Sequence, residues 1–365
     1  MPTATIDLSA LSHNLGRVRQ RLQPGVGVMA AVKADAYGHG SAEVARRLAA
    51  EGVAWLGVAT AEEALSLRRA GVTASILVFS PVYERLEALI DHGVALTVVD
   101  ESSLGSAAEA ADRADRRASV HIKVDTGMGR LGKPPGDVTG LIEAADRDKR
   151  VEVQGLWTHF ACADDDRPDV TRRQIGAFSE LVGALEHRGL DIPLKHAANS
   201  AAICAFPEAQ FDLVRPGIAL YGYHSSPFIA GLEPALRPVM TLTAPVTFVK
   251  RVRAGAAISY GALWHAPQAT TVATVRIGYA DGYPRALSGK ARVGVHGRLC
   301  PVAGRICMDQ LMVDVGDLGV RVGDRGTRLG GAGPSAEDLG ELAGTISYEL
   351  LTGLGARVRR IYQRP

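Results

Sequence analysis

Between residues 28 and 100 the chain repeats one unit, a short unbroken apolar run followed by an amphipathic stretch that ends on glycine. Few folds accommodate such a repeat. The first run, residues 28–32, reads as a strand buried on both faces. Val44, Ala45 and Leu48 then share one helical side, and Gly52 is positioned to end that helix. Residues 53–58 form the second strand. Thr60 and Glu63 have the spacing of a capping box, Ala64 and Leu67 continue an apolar face, and Gly71 closes it. Residues 76–79 are the third strand; Leu86, Leu89 and Ile90 make the next face before Gly93, and residues 96–99 are the fourth strand. The unit recurs about every twenty residues, which favours parallel strands joined by right-handed helical crossovers.

Four more candidate strands continue the series at residues 120–124, 153–157, 194–197 and 211–214, with a helix over 171–189 among the connections. Eight parallel strands within about 200 residues predict an α/β fold with an N-terminal (β/α)8 barrel, an open doubly wound sheet being the competing arrangement. The pattern changes at a Pro- and Gly-rich connection, residues 227–238. Residues 240–252 and 270–277 beyond it are rich in Val and Thr, and His296-Gly297 sits between two β-type runs as a turn would. A C-terminal, mainly β domain is therefore expected, interrupted by a short helix around residues 335–342. At the N-terminus, residues 9–22 place Leu11, Leu15, Val18 and Leu22 at helical spacing, and residues 4–8 read as an extra strand outside the barrel. The expected division is a barrel over 9–235 and a β domain formed by 1–8 with 236–365.

With 41 basic and 39 acidic side chains, a net charge of +2 and no basic block, the chain gives no reason to expect a nucleic-acid or anionic-membrane partner. The opening MPTATIDLSALSHNL lacks the basic and apolar regions of a secretion signal, and no run of about 18 apolar residues is present, so a cytoplasmic location is expected. Cys162, Cys204, Cys300 and Cys307 show no CxxC spacing. They read as reduced core residues, and no metal site is expected.

Lys33 carries the first chemical signal, in Ala31-Val32-Lys33-Ala34-Asp35-Ala36-Tyr37-Gly38-His39-Gly40. An unpaired ammonium is expensive to bury, so a lysine at this strand end either snorkels out or is used. At the carboxyl end of a barrel strand it points into the mouth where barrel enzymes place their sites. There it can form a Schiff base with an aldehyde cofactor. Tyr37 and the neighbouring glycines favour use, because a tight loop with a hydroxyl suits a phosphate.

This segment resembles the cofactor-lysine motif of alanine racemases, and the likeness runs the length of the chain. Lys123-Val124-Asp125-Thr126-Gly127-Met128-Gly129-Arg130-Leu131-Gly132 is similar to a second family motif. His196-Ala197-Ala198-Asn199-Ser200 and Val214-Arg215-Pro216-Gly217-Ile218 are similar to a third and fourth. Ile258-Ser259-Tyr260-Gly261, Ile277-Gly278-Tyr279-Ala280-Asp281-Gly282 and Arg305-Ile306-Cys307-Met308-Asp309-Gln310 complete the series in family order.

The resemblance implies a pyridoxal 5'-phosphate enzyme that interconverts L-alanine and D-alanine by two-base proton transfer, supplying D-alanine for peptidoglycan. Lys33 holds the cofactor and, once released by substrate, serves one face; Tyr260 serves the other. A phenol has a reference pKa of about 10 and must be tuned, a task the likeness gives to His196 and Arg215. Tyr260 falls in the β domain, and in the family it meets the lysine across a head-to-tail homodimer. Ser200, the backbone amides of Gly217 and Ile218, and the hydroxyls of Tyr37 and Tyr348 would hold the phosphate, where barrels commonly place one. Asn199 beside Ser200 also reads as a helix cap, which is compatible. Arg215 would face the cofactor's ring nitrogen, and its permanent charge disfavours protonation there. His159 resembles a histidine near the ring hydroxyl, a position a structural histidine fills equally well. Arg130 and the Met308 backbone would hold the substrate carboxylate, supported by Asp309, by Tyr279 and by Lys123, which matches a lysine often carbamylated in the family.

Rival functions share some of these parts. A barrel-type decarboxylase places an acidic residue, not an arginine, against the ring nitrogen. A non-catalytic cofactor-binding protein has no use for a β domain or for Tyr260. A broad-specificity amino-acid racemase is the nearest variant, and the missing export signal argues for the alanine form.

Overall fold

The computed structural model describes residues 1–233 and 235–364. Strand β1 (Thr3–Asp7) leads into a helix, Leu8–Gln20, whose first turn is capped by the Asp7 carboxylate. Eight strands follow: β2 (Gly27–Ala31), β3 (Trp55–Val58), β4 (Ser75–Val78), β5 (Val94–Val98), β6 (Ala118–Lys123), β7 (Val151–Trp157), β8 (Leu194–Asn199) and β9 (Leu213–Arg215). Each pairs in parallel with the next, and β9 returns to β2 through Gly27↔Leu213 and Val28↔Val214. The barrel is therefore closed, which rules out the open doubly wound sheet.

The local signals work as the side-chain chemistry dictates. β5 is buried at every position, as a strand covered on both faces must be. On the helix Ser41–Ala50, Val44, Ala45 and Leu48 form the buried stripe. The Thr60 hydroxyl accepts from the Glu63 N–H at 3.2 Å while the Glu63 carboxylate accepts from the Thr60 N–H at 3.3 Å, a complete capping box. Gly52, Gly71 and Gly93 end their helices with positive φ.

Beyond the barrel come β10 (Met240–Val252), β11 (Ala257–Ile258), β12 (Trp264–His265), β13 (Thr270–Val275), β14 (Arg292–Val295), β15 (Arg298–Pro301), β16 (Leu311–Asp314), β17 (Arg325–Leu329) and β18 (Arg359–Gln363). β10 organises this mainly β region by pairing with β1, β13 and β17. Register shifts at Leu242/Thr243 and Val246/Phe248 bend it so that one strand serves several partners. β1 lies between β10 and β18, antiparallel to the first and parallel to the second, so the chain's first strand joins the far sheet. His296 and Gly297 both take positive φ in the tight turn between β14 and β15.

The stretch read as a bare Pro- and Gly-rich connection holds a helix, Pro227–Leu232. The Ser226 hydroxyl accepts from the Ile229 N–H at 3.3 Å and Pro227 occupies the first helical position. That pairing is a start signal which outweighs the composition. A second helix, Ser347–Thr352, follows the foreseen one at Ala336–Ala343. All four cysteines are free. Among the described residues no helix is long and apolar enough to cross a membrane.

Candidate active site

At the carboxyl end of β2 the backbone does something costly. Ala34, Asp35, Ala36 and Tyr37 all have φ between 52° and 54°, a left-handed turn of four non-glycine residues. Each costs roughly 1–2 kcal/mol, so the surroundings must hold the turn in place. The Glu63 carboxylate does so by accepting from the Ala34 N–H at 2.6 Å, and Asp35 by accepting from the Ser41 N–H at 2.7 Å. Tyr37 stacks on Tyr221, ring centres 4.8 Å apart, and Tyr221 donates to the Ala31 carbonyl at 2.9 Å. The turn presents Lys33 and Tyr37 to the same cavity.

That cavity, about 440 Å³, opens at the carboxyl ends of the barrel strands. It gathers Lys33, Tyr37, Lys123, Arg130, His159, Asn199, Ser200, Arg215, Gly217, Ile218 and Tyr348. Burial and the nearby Arg130 and Arg215 hold the Lys33 amine below its ordinary value, with Glu63 opposing them. At the opposite end, Asn199 caps the helix Ser200–Ala205 by accepting from the Ala202 N–H at 3.0 Å. The Gly217 N–H, expected to face a phosphate, donates to the Ser200 hydroxyl at 2.8 Å instead. Gly217 contributes space: a Cβ there would stand 2.4 Å from the Tyr37 hydroxyl. The Ser200 hydroxyl, already accepting from Gly217, keeps its own proton to donate. Burial raises the Tyr37 phenol to about 12 and pushes that of Tyr348 up as well, so both remain protonated donors.

Arg215 is the best-fixed cation in the site. It is 5% exposed and donates to the Thr158 and Ala197 carbonyls at 2.7 and 2.8 Å, to His196 Nδ1 at 3.0 Å and to His159 Nδ1 at 3.2 Å. Its guanidinium also lies over the Trp157 ring, 5.0 Å from the centre. Burial lowers Arg215 to about 9, which still leaves it charged at neutral pH. Burial, with Arg215 beside them, holds His159 and His196 far below the ordinary histidine range, so both are neutral.

Lys123 is 2% exposed, and its ammonium donates to the Val124 carbonyl at 2.6 Å. Burial, with Arg215 and Arg130 nearby, lowers it to about 7. Arg130 is exposed at the cavity rim, on a loop that Asp125 shapes by accepting from the N–H groups of Gly127, Met128 and Gly129.

The other expected residues lie elsewhere. Tyr260, Tyr279 and Met308 are 70%, 42% and 53% exposed, and Asp309 is exposed beside them in the β region. None lines the cavity. They form one face: Ser259 donates to the Arg305 carbonyl at 2.7 Å, and Tyr279 and Ala280 donate to the Cys307 and Met308 carbonyls at 3.1 and 3.0 Å. Arg357 clasps Asp309 at 2.7 Å and Asp281 at 3.0 Å. Among the described residues no bond joins Tyr260 to His196 or Arg215; the Arg215–His196 chain runs to His121 instead.

Phe79, Trp157 and Asp164 also line the cavity, and the sequence reading assigned them no part in the site. Trp157 ends a barrel strand just as Lys123 does, and that position was the available signal.

Comparison with known proteins gives one answer. The family model described as alanine racemase, N-terminal domain, matches residues 6–225, and the one described as alanine racemase, C-terminal domain, matches residues 239–362. An alanine racemase of Chlorobaculum tepidum is 46% identical over 98% of this chain and 94% of that relative. One from Treponema denticola is 40% identical over 98% and 97%. Among solved structures, the alanine racemase of a D-cycloserine-producing Streptomyces lavendulae superimposes with a TM-score of 0.94 at 41% identity, covering 100% of this chain and 97% of that one.

Proposed function

The chain belongs to the alanine racemase family, and on that premise we propose how its residues divide the work of interconverting L-alanine and D-alanine. It is an isomerase acting at the α-carbon of an amino acid. We assign the barrel to residues 9–235 and the β domain to 1–8 with 236–365. The D-alanine goes to peptidoglycan, and the work is done in the cytoplasm.

The cofactor is pyridoxal 5'-phosphate, and the cavity fits it at three corners. Its phosphate would be held by the Ser200, Tyr37 and Tyr348 hydroxyls and the Ile218 N–H, with Gly217 leaving room for the Tyr37 hydroxyl. Its aldehyde would meet Lys33, whose amine burial and the nearby Arg130 and Arg215 hold below its ordinary value, in the direction that favours condensation. Its ring nitrogen would face Arg215, which has His159 beside it. When bound, the cofactor supplies an electron sink that acidifies the substrate's α C–H. Arg215, charged at neutral pH, would oppose protonation of the ring nitrogen and so keep that sink moderate, which favours proton return over transamination.

Lys33 takes or returns the α-proton on one face. Tyr260 of the partner subunit does so on the other, in a homodimer whose two copies complete each other's sites. Arg130 binds the substrate carboxylate, with Met308 and Asp309 of the partner subunit opposite and Tyr279 supporting them. Lys123, poised near neutrality, is the amine that can take up CO2; its carbamate would pair with Arg130.

The observation that carries the reading is the convergence of an amine, a fixed guanidinium and phosphate-grade hydroxyls in one cavity. Purified enzyme supplied with pyridoxal 5'-phosphate should convert each alanine enantiomer to the racemate and leave serine and lysine far behind. Release of CO2 and an amine, or no turnover in either direction, would sink it.

A further inference from the structure

β6 delivers two inward side chains on one face, His121 and Lys123. Lys123 reaches the cavity; His121 stays beneath it and is fully buried. The hydrogen-bond chemistry around His121 admits one proton arrangement. Arg215 can only donate, so His196 Nδ1, 3.0 Å from the guanidinium, must be bare. His196 is neutral and therefore carries its proton on Nε2. That nitrogen lies 2.9 Å from His121 Nδ1, which must be bare in its turn. The His121 proton then sits on Nε2, a buried nitrogen with no hydrogen-bond partner among the described residues, while the ring as a whole meets the Trp55 ring edge-on, ring centres 5.1 Å apart. Trp157 lies parallel to His196, interplanar angle 5° with ring centres 5.8 Å apart, which fixes the plane of that ring.

The barrel is cut to admit the His121 ring. The β6–β7 register shifts between Val120 and His121, and the residue then opposite His121 is Gly155. A Cβ at Gly155 would stand 2.1 Å from His121 Nδ1.

We propose that His121 is a positioning residue for the racemase reaction: by accepting from His196 it fixes the tautomer that lets His196 accept from Arg215, and so sets the guanidinium against the cofactor's ring. This rests on the placement of Arg215 given under Proposed function. The relay itself does not, and it can be read directly. In the purified enzyme carrying [15N]histidine, the His196 and His121 nitrogens should show coupling across their N–H···N bond, with His196 protonated at Nε2 alone. A proton on His121 Nδ1 or on His196 Nδ1 overturns the relay.

The functional arm uses two substitutions. His121→Phe keeps the ring shape and removes the acceptor, whereas His121→Asn returns an acceptor oxygen near the Nδ1 position. The Phe variant should bind pyridoxal 5'-phosphate about tenfold more weakly and racemise alanine about tenfold more slowly, the effect of one stranded buried donor, and the Asn variant should recover most of both. Phe and Asn variants impaired alike, or a Phe variant equal to the unaltered enzyme, would overturn the positioning role. An unaltered enzyme that neither binds the cofactor nor racemises alanine would instead remove the functional reading, and the coupling would still decide the relay.

Discussion

The barrel mouth and the exposed face of the β domain carry the two halves of the candidate site, and they are built in opposite ways. In the mouth, Arg215 makes four hydrogen bonds, Lys123 and His196 are buried, and even the strained turn after Lys33 is braced by two carboxylates. On the β face, Tyr260 is 70% exposed at the tip of a turn in which Ser259, Gly261 and Ala262 all have positive φ. Large aromatic and thioether side chains held outward by a well-bonded backbone are what a surface awaiting a partner displays. On the division of work proposed above, one half of the chemistry is finished by folding and the other awaits assembly.

The largest expected effect lies on the finished side. Lys33→Ala should abolish racemisation of both enantiomers, a loss beyond the roughly 10² to 10⁴ of an ordinary base deletion because cofactor attachment goes too. Borohydride reduction of the unaltered holoenzyme should fix the cofactor to the peptide containing Lys33. Labelling at another lysine would dissolve the contrast between the halves.

Tyr260→Phe tests the assembled side. Full racemisation should drop by about 10² to 10⁴, yet solvent deuterium should still enter D-alanine through the surviving Lys33. Equal loss of exchange from both enantiomers would leave Tyr260 a structural role. The comparison sharpens when the two inactive proteins are mixed under conditions that exchange subunits. With random pairing, half the dimers are mixed and each holds one intact site, so activity should return to about a quarter of normal. No recovery despite proven exchange would place both bases within one chain.

The smallest effect concerns the buried amine. Lys123 stands near 7 when folded against an ordinary value of 10.5, so between those pH values the unfolded chain binds more protons. Stability contributed through this group therefore rises with pH from about 7 to 10.5 and is absent below. In CO2-free buffer, urea unfolding should show that rise for the unaltered protein and a flatter profile for Lys123→Met. Identical profiles would mean that the amine is not desolvated.

The barrel was legible because burial on both faces leaves continuous apolar runs, and because caps such as Thr60 with Glu63 are local chemistry. The helix Pro227–Leu232 was hidden by its Pro- and Gly-rich composition, although Ser226 and Pro227 form a helix start. His121 was missed for a different reason. In the sequence it is one residue inside an apolar strand, and nothing local distinguishes a packed histidine from one that orients another side chain.

The sequence by itself determined the repeating strand–helix unit, the family likeness and the identity of the chemical groups, because these depend on residue type and on spacing along the chain. Tertiary structure alone decided that Gly217 offers room rather than its N–H, that the Arg215 relay runs to His121, and that Tyr260 stands apart from Lys33 within one chain. Those outcomes depend on distances between strands far apart in sequence, fixed by barrel closure and by a one-residue register shift. No local pattern encodes them, because the hydrogen-bond partner of a buried group is chosen by whatever the fold brings within about 3 Å.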